Sequence, residues 1–402
     1  MIKIAYIHQD GLITGSALSL YQILTAIDSA KFDIKVFCQG NGPFADLLME
    51  KKINCSVVGG LRFISSPTPS FFQQDFYYNL LALKRNRKFE TALKNFNPDI
   101  VHVNDKSALA AGKAAKKLGY KVVWHLRSSY FGKKSKLLYN ISRNIISKNS
   151  DYLISISEDE LDGFENHKNI SIIYNSLNLK EVEKTLAQGS NFKTEFDISR
   201  EEVAVGMVGN LNTQKGAWNF LKAAGMAQKI APQVKFRFFI IAPIEKNLNY
   251  GWKGKIGLID TTNPYNRAIA LAEENGILKN THFTNRRNDI LNVMAGLDII
   301  TACYNLHAIG RPGFEAAAVG RPVIVNEGHT GNSQIVKNNV TGLVIEKENP
   351  LALAGAIVQL ATDEELRIAM GKNGIEHARQ NFNAEKNIEK IEAIYEKVLN
   401  EE

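Results

Sequence analysis

Residues 297–325 constrain the fold of this chain more than any other stretch. The run 297–303, Leu-Asp-Ile-Ile-Thr-Ala-Cys, is largely apolar and reads as a buried strand. Gly310 then opens a turn, and Pro312 sits where the first residue of a helix belongs. Phe314 and the alanines after it continue that helix until Gly320 ends it, and 322–325 begin the next strand. Such a unit is the crossover of a parallel sheet, with its helix starting at the mouth of the sheet. There the unpaired N–H groups and the helix dipole attract an anion, most often a phosphate. Glu315 lies one turn inside and is suited to accept hydrogen bonds from a vicinal diol such as a ribose. A phosphate cradle backed by a carboxylate points to a nucleotide. The plainer reading is a crossover without a ligand, in which Glu315 merely complements the helix dipole.

The same alternation runs through the whole chain twice. Candidate strands at 3–7, 34–38, 54–58, 100–103, 121–125, 152–156 and 170–173 are separated by helical patterns, and the pattern breaks into polar residues over 175–201. A second series follows at 203–208, 235–241, 281–284, 297–303, 322–325 and 342–345. We read two doubly wound α/β domains, 1–180 and 200–383, joined near 176–200. The last helix, Ala384–Asn400, is strongly amphipathic, with Ile388, Ile391, Ile394, Tyr395 and Leu399 at helical spacing.

At 402 residues, with 45% apolar and 22% charged content, the chain can bury two cores of ordinary size. No apolar run approaches the roughly 20 residues of a membrane span, and the start reads as a first strand rather than a signal peptide. The expected location is cytoplasmic. Cys38, Cys55 and Cys303 are few and scattered, as reduced core thiols are. Of the +8 net charge, residues 1–180 carry 24 Lys and Arg against 15 Asp and Glu, so the excess lies in the first half. It gathers in Lys84–Lys88 and in 133–148, where Lys133, Lys134, Lys136, Arg143 and Lys148 alternate with apolar residues. That second stretch reads as a basic amphipathic helix suited to an anionic membrane surface, or simply as a solvated surface helix. Nucleic acid is not indicated, because no recognition motif accompanies the charge. The aromatic stretch 61–78 reads as an acceptor or membrane contact, or as a packed connection.

Three further positions carry candidate chemistry. The segment 209–216, Gly-Asn-Leu-Asn-Thr-Gln-Lys-Gly, follows a strand and enters a helix. Its Lys-Gly order rules out a Walker A loop, which needs Gly before Lys. Lys215 at a helix start still suits a diphosphate as a point charge. Gly11 and Gly15 lie between the first strand and its helix, where backbone can approach a ligand. His125 ends a strand and is followed by Leu126 and Arg127; a catalytic and a structural histidine are equally compatible with that position. No two aspartates are separated by one residue, no Cys/His cluster has zinc spacing, and neither Gly-x-Ser-x-Gly nor Gly-x-Gly-x-x-Gly occurs. A metal-bound diphosphate, a classical hydrolase and a classical dehydrogenase all lose support.

With these residues assembled, the chain resembles the family 4 retaining glycosyltransferases of GT-B fold over nearly its whole length. The resemblance is carried by Arg286-Arg-Asn-Asp-Ile-Leu-Asn-Val-Met-Ala-Gly-Leu-Asp298, by Gly310-Arg-Pro-Gly-Phe-Glu-Ala-Ala-Ala-Val-Gly-Arg-Pro-Val-Ile324 and by Ser333-Gln-Ile-Val-Lys-Asn-Asn-Val-Thr-Gly342. In the first half it is looser, at 15–17, 98–103, 155–157 and 173–176. It implies two Rossmann-like domains facing a central cleft: an acceptor-side domain onto which 384–402 packs back, and a donor-binding domain. It implies transfer of a sugar from a nucleotide-diphosphate donor to a glycan or lipid-linked acceptor, with retained configuration and no metal or other cofactor. The pathway implied is bacterial surface polysaccharide synthesis at the cytoplasmic face of the inner membrane. The family's roles would put Lys215 on the diphosphate, Glu315 on the ribose hydroxyls, and the amides of Ala308, Ile309 and Gly310 on phosphate and sugar. Gly15 would face the phosphates, and His125 would lie near the sugar and acceptor. Where the family has a glutamate eight residues before Glu315, this chain has His307, and the arginine usual beside the phosphate lysine is replaced by Asn210. Arg311 and Arg286 are then the candidates to supply that charge. These departures also leave open a non-catalytic scaffold of the same fold that binds a glycan or partner protein, and another enzyme of the fold such as a sugar-nucleotide epimerase.

Overall fold

The computed structural model describes residues 1–8, 11–58, 86–127, 136–244, 263–305, 310–327 and 334–401. The chain divides into two compact units, Met1–Ser176 with Ala384–Glu402, and Leu177–Asn383.

The first unit is built on a parallel sheet of seven strands: β1 Ile2–His8, β2 Phe32–Cys38, β3 Cys55–Val57, β4 Ile100–Val103, β5 Lys121–Leu126, β6 Tyr152–Ser155 and β7 Ile170–Ile172. Their order is β3-β2-β1-β4-β5-β6-β7, with Ile4 level with Ile34 on one side and Ile100 on the other. Helices cover both faces, so the central strands are apolar on both sides, and every residue of β4 and β6 is buried. The helix Ala384–Asn400 lies in this unit although the whole second unit precedes it in the chain. Its stripe of Ile388, Ile391, Ile394, Tyr395 and Val398 completes the core around Ile4, Tyr6 and Phe32. Glu392 accepts from the Asp28 amide (2.8 Å) and Asn387 donates to the Tyr174 carbonyl (3.1 Å), which pins the helix along its length.

The second unit has six parallel strands: β8 Glu202–Val208, β9 Lys235–Ile241, β10 Thr281–Thr284, β11 Ile299–Thr301, β12 Val323–Asn326 and β13 Gly342–Ile345. Their order is β10-β9-β8-β11-β12-β13. In both sheets the order reverses once, between β1 and β4 and between β8 and β11. The loops leaving the C-terminal ends of those strands diverge, and ligands of doubly wound sheets collect in the space between them.

Three details differ from the sequence reading. Arg311, not Pro312, opens the helix Arg311–Ala318, because Gly310 takes the extended backbone of an N-cap. The apolar run 297–303 pairs as a strand only over Ile299–Thr301, while Ala302, Cys303 and Tyr304 stay buried beyond it. Residues 177–199 are no polar joint. Leu179–Gln188 and Phe192–Glu195 are helices of the second unit; the first buries Val182, and the second buries Phe192 against Phe196 and Phe239.

The stretch 61–78, Lys84, Arg85, Lys133 and Lys134 lie outside the described residues. The basic helix forms as Lys136–Lys148, with Ser142 and Ile146 buried and Ile141 and Lys148 exposed. Among the described residues no helix is long and apolar enough to cross a membrane. The three cysteines are free thiols.

Candidate active site

In the second unit, the loops leaving β8 and β11 interlock at the switch point. The loop after β8 turns through a short 3-10 helix, Thr213–Lys215, whose start is capped by Asn212 accepting from the Lys215 amide (2.8 Å). Gly216 follows at φ 73°, and a Cβ there would overlap the Cys303 carbonyl, so no other residue lets the two loops approach this closely. Asn305 then donates from its amide to Gln214 (2.9 Å) and from its side chain to the Thr213 carbonyl (3.0 Å).

Tyr304 is the hub of this junction. Its hydroxyl donates to the Val208 carbonyl at the end of β8 (2.9 Å), and burial keeps the phenol protonated well beyond the ordinary range. The Lys215 ammonium lies over its ring, 4.2 Å from the centroid. Gly310 packs on the edge of the same ring so closely that a Cβ would overlap it. One aromatic side chain therefore touches both the lysine and the first turn of the helix Arg311–Ala318. Burial lowers the Lys215 pKa, and no carboxylate among the described residues lies within ion-pair distance of its Nζ. A half-buried cation over a ring, beside a helix N-terminus, is a site prepared for an anion.

Glu315 is buried one turn into that helix, and its Oε1 accepts from Arg311 Nε (2.9 Å) and Nη2 (2.8 Å). The sequence reading offered Arg311 as a replacement cation for the phosphate. Its guanidinium is paired with Glu315 and also lies 5.4 Å from the Phe314 ring centroid. At the end of β10 the two neighbouring arginines separate. Arg287 is clamped by both oxygens of Glu195 (2.5 and 2.8 Å) and by Asp289 (2.8 Å), while Arg286 is exposed. Asn210 is exposed at the start of the lysine loop. His307, Ala308 and Ile309 lie outside the described residues.

In the first unit, Gly15 is the exposed first residue of the helix Gly15–Ala26, capped by Thr14 accepting from Ala17 (3.3 Å). His125 belongs to a buried polar network at the C-terminal ends of β1, β4 and β5. Arg127 donates through Nε to Asn104 Oδ1 (2.6 Å), through Nη1 to Asn175 Oδ1 (2.6 Å) and through Nη2 to His125 Nδ1 (3.2 Å). Asn104 donates in turn to His8 Nδ1 (3.2 Å). Burial first, and the Arg127 charge second, hold His125 far below the usual imidazole range. His125 is therefore neutral. A guanidinium can only donate, so His125 Nδ1 is the acceptor and its proton sits on Nε2. That Nε2–H is buried and meets no hydrogen-bond partner among the described residues. His125 is thus built as a hydrogen-bond donor rather than a general base.

The sequence reading missed Tyr304, His8, His102, Asn104, Arg127, Asn175 and Tyr395. A signal existed for some of them: His8, Asn104 and Arg127 are polar residues at the ends of apolar strands, where no solvated turn explains them. Tyr304 and Tyr395 carry no such mark.

Comparison with known proteins agrees with this architecture. A family model described as Glycosyl transferases group 1 matches residues 190–377, and one described as Glycosyltransferase Family 4 matches residues 13–181. The chain belongs to this glycosyltransferase family. Over 98% of its length this glycosyltransferase is 24% identical to 96% of an Escherichia coli protein, UDP-Gal:alpha-D-GlcNAc-diphosphoundecaprenol alpha-1,3-galactosyltransferase. Its fold is GT-B, as in the crystal structure of Anabaena HepE in complex with UDP and glucose. That likeness has a TM-score of 0.78 at 18% identity, covering 99% of this chain and 100% of that one. A glycosyltransferase from Rickettsia africae is similar to the same degree, with a TM-score of 0.76 at 18% identity over 100% of this chain and 99% of that one.

Proposed function

We propose that this glycosyltransferase moves a sugar from a UDP-sugar to a saccharide or lipid-linked acceptor in surface polysaccharide synthesis, with retention at the anomeric carbon and without a metal. The observation that supports this most is Lys215, a half-buried cation with no carboxylate partner among the described residues, held at the switch point beside a helix N-terminus. The E. coli relative, named for UDP-Gal and a diphosphoundecaprenol acceptor, supports UDP as the nucleotide and a lipid-linked acceptor.

In this reading the C1–O bond to the diphosphate breaks, and a bond from C1 to the acceptor oxygen forms on the same face. The acceptor's proton passes to the departing phosphate oxygen. Negative charge grows on that phosphate, and pre-aimed amides with a lysine stabilise it most in the transition state. Lys215 and the amides of Ala308, Ile309 and Gly310 take this role, with Arg286 and Asn210 at its margin. Glu315 receives the ribose hydroxyls while Arg311 orients its carboxylate. His125 donates through Nε2 to a hydroxyl of the sugar or acceptor, and His307 takes the position of the family's sugar-reading glutamate. The basic helix Lys136–Lys148 supports peripheral attachment to anionic lipid, which flotation with anionic against neutral vesicles tests.

The deciding experiment is calorimetric titration of UDP, GDP, ADP and CMP into wild type and Lys215→Met. Glu315→Ala is a poorer variant, because it would release Arg311 as a new cation beside the phosphate site. Micromolar UDP binding, about −8 kcal/mol, that Lys215→Met weakens at least tenfold is the expected result. No nucleotide binding by wild type overturns the reading in favour of a non-catalytic scaffold.

A further inference from the structure

The helix Ala384–Asn400 places Tyr395 fully buried among the histidines of the first unit, and the hydrogen bonds there have only one consistent direction. His125 Nδ1 must accept, because Arg127 Nη2 donates to it at 3.2 Å. His102 Nε2 lies 3.3 Å from that same Nδ1, so the proton between the two rings belongs to His102 Nε2. A neutral His102 with its proton on Nε2 has a lone pair on Nδ1, and the Tyr395 hydroxyl lies 2.7 Å from it. Tyr395 therefore donates to His102. Its own oxygen then accepts from the Tyr6 hydroxyl at 3.0 Å. The order runs Tyr6 to Tyr395 to His102 to His125, and it ends with the His125 proton on Nε2.

We propose that Tyr395 is a positioning residue of the active site. From the last helix of the chain it fixes the tautomer of His102, and through it the ring orientation of His125 that presents Nε2–H to a substrate oxygen. The substrate part rests on the function proposed above; the relay itself does not. In its absence His102 has two poor choices. Keeping its proton on Nε2 leaves a buried lone pair unpaired on Nδ1. Moving the proton to Nδ1 sets two lone pairs against each other between His102 and His125. The first choice keeps the His102 donor but strands a buried lone pair; the second leaves the His125 ring resting on Arg127 alone. Phe32 packs edge-on against the Tyr395 ring (centroids 5.9 Å apart), so replacing Tyr395 by Phe removes the hydroxyl and keeps the packing.

The test compares wild type, Tyr395→Phe and Tyr6→Phe, each labelled with ¹⁵N-histidine. Long-range ¹H–¹⁵N correlation reads the two tautomers directly, with His102→Gln and His125→Gln assigning the signals. Wild type is expected to show both rings protonated on Nε2. Tyr395→Phe is expected to shift His102 toward the Nδ1–H form or a mixture, and to broaden or move the His125 signals. Tyr6→Phe removes a hydroxyl from the same cluster but leaves the Tyr395–His102 bond, so the tautomers should stay as in wild type. Sugar transfer from the UDP donor should fall on the order of tenfold in kcat for Tyr395→Phe, the worth of one ordinary hydrogen bond. UDP affinity should be unchanged, since the proposed nucleotide ligands are in the second unit. Unaltered histidine signals in a folded Tyr395→Phe overturn the relay. Altered signals with no sugar transfer even by wild type would keep the relay and overturn the function it was taken to serve.

Discussion

Acidification should destabilise the first unit through its three buried histidines, and the size of the effect can be worked out. Burial, with Arg127 adding to it, pushes His8 down to about 3 and holds His102 and His125 well below the ordinary imidazole range. In the unfolded chain each returns to about 6.5. The folded values lie below the unfolded ones, so the unfolded chain binds the protons. Stability is therefore full above about pH 6.5 and drains as the pH falls toward the folded values. At pH 5.5 an unfolded imidazole is about nine-tenths protonated. That favours unfolding by ~1.4 kcal/mol for each histidine and ~4 kcal/mol for three, relative to pH 7.5. Among the described residues Glu160 opposes this. Burial raises the Glu160 carboxyl, so acid favours its folded form. A single proton over two pH units offsets at most ~2.7 kcal/mol. Three imidazoles outweigh one carboxyl, and a net loss of more than ~1 kcal/mol should remain.

Trp124 is the natural reporter, because it is fully buried in this unit with its indole donating to the Asp105 carbonyl (2.8 Å). Replacing Trp218 and Trp252 by Phe leaves it the only tryptophan of the three. Urea unfolding followed by its fluorescence at pH 7.5, 6.5 and 5.5 gives the slope, and Glu160→Gln should steepen it toward the full ~4 kcal/mol. Stability that stays level or rises down to pH 5.5 in both proteins would show that the histidines are not held neutral. The tautomer argument for His125 would fall with it.

Other predictions concern the second unit. Lys215→Met should weaken nucleoside-diphosphate binding by ~1.5–3 kcal/mol, the range of a charged hydrogen bond, with the melting temperature unchanged or raised because a partly desolvated charge is removed. Tyr304→Leu takes the ring from beneath Lys215 and should lose ~0.5–2 kcal/mol of nucleotide affinity by calorimetry, whereas Tyr304→Phe keeps the ring and should retain most of it. The two adjacent arginines should part company. Arg287→Ala breaks the clamp on Glu195 and Asp289 and should lower stability by up to ~1 kcal/mol at constant nucleotide affinity. Arg286→Ala should lower affinity without changing the melt. If both variants changed only the melt, Arg286 would be removed from the donor site.

Much of the architecture was legible because it rests on near neighbours in the chain. Apolar runs such as Ile100–Val103 read as doubly covered strands, and the Gly310 to Gly320 punctuation placed a helix to within one residue of its start. Lys215 and Glu315 could be placed at the mouth of the second sheet because a loop between a strand and a helix has a fixed position there. The boundary near 176–200 was misread as a joint, because Phe192 and Phe196 look solvated until Phe239 is packed against them.

What only the tertiary structure decided is which groups meet. Arg286 and Arg287 are indistinguishable in the sequence, and Glu195, 92 positions away from Arg287, separates them. Lys215 and Tyr304 come from different crossovers, and their contact follows from how two loops interlock at Gly216. Tyr395 reaches His102 across 293 positions, and in the sequence it is one more apolar member of an amphipathic stripe. Period and turn chemistry are local properties of a chain, so the order of the sheets could be read from it. The direction of a buried hydrogen bond depends on every partner at both of its ends, and those partners are brought together only when the core closes.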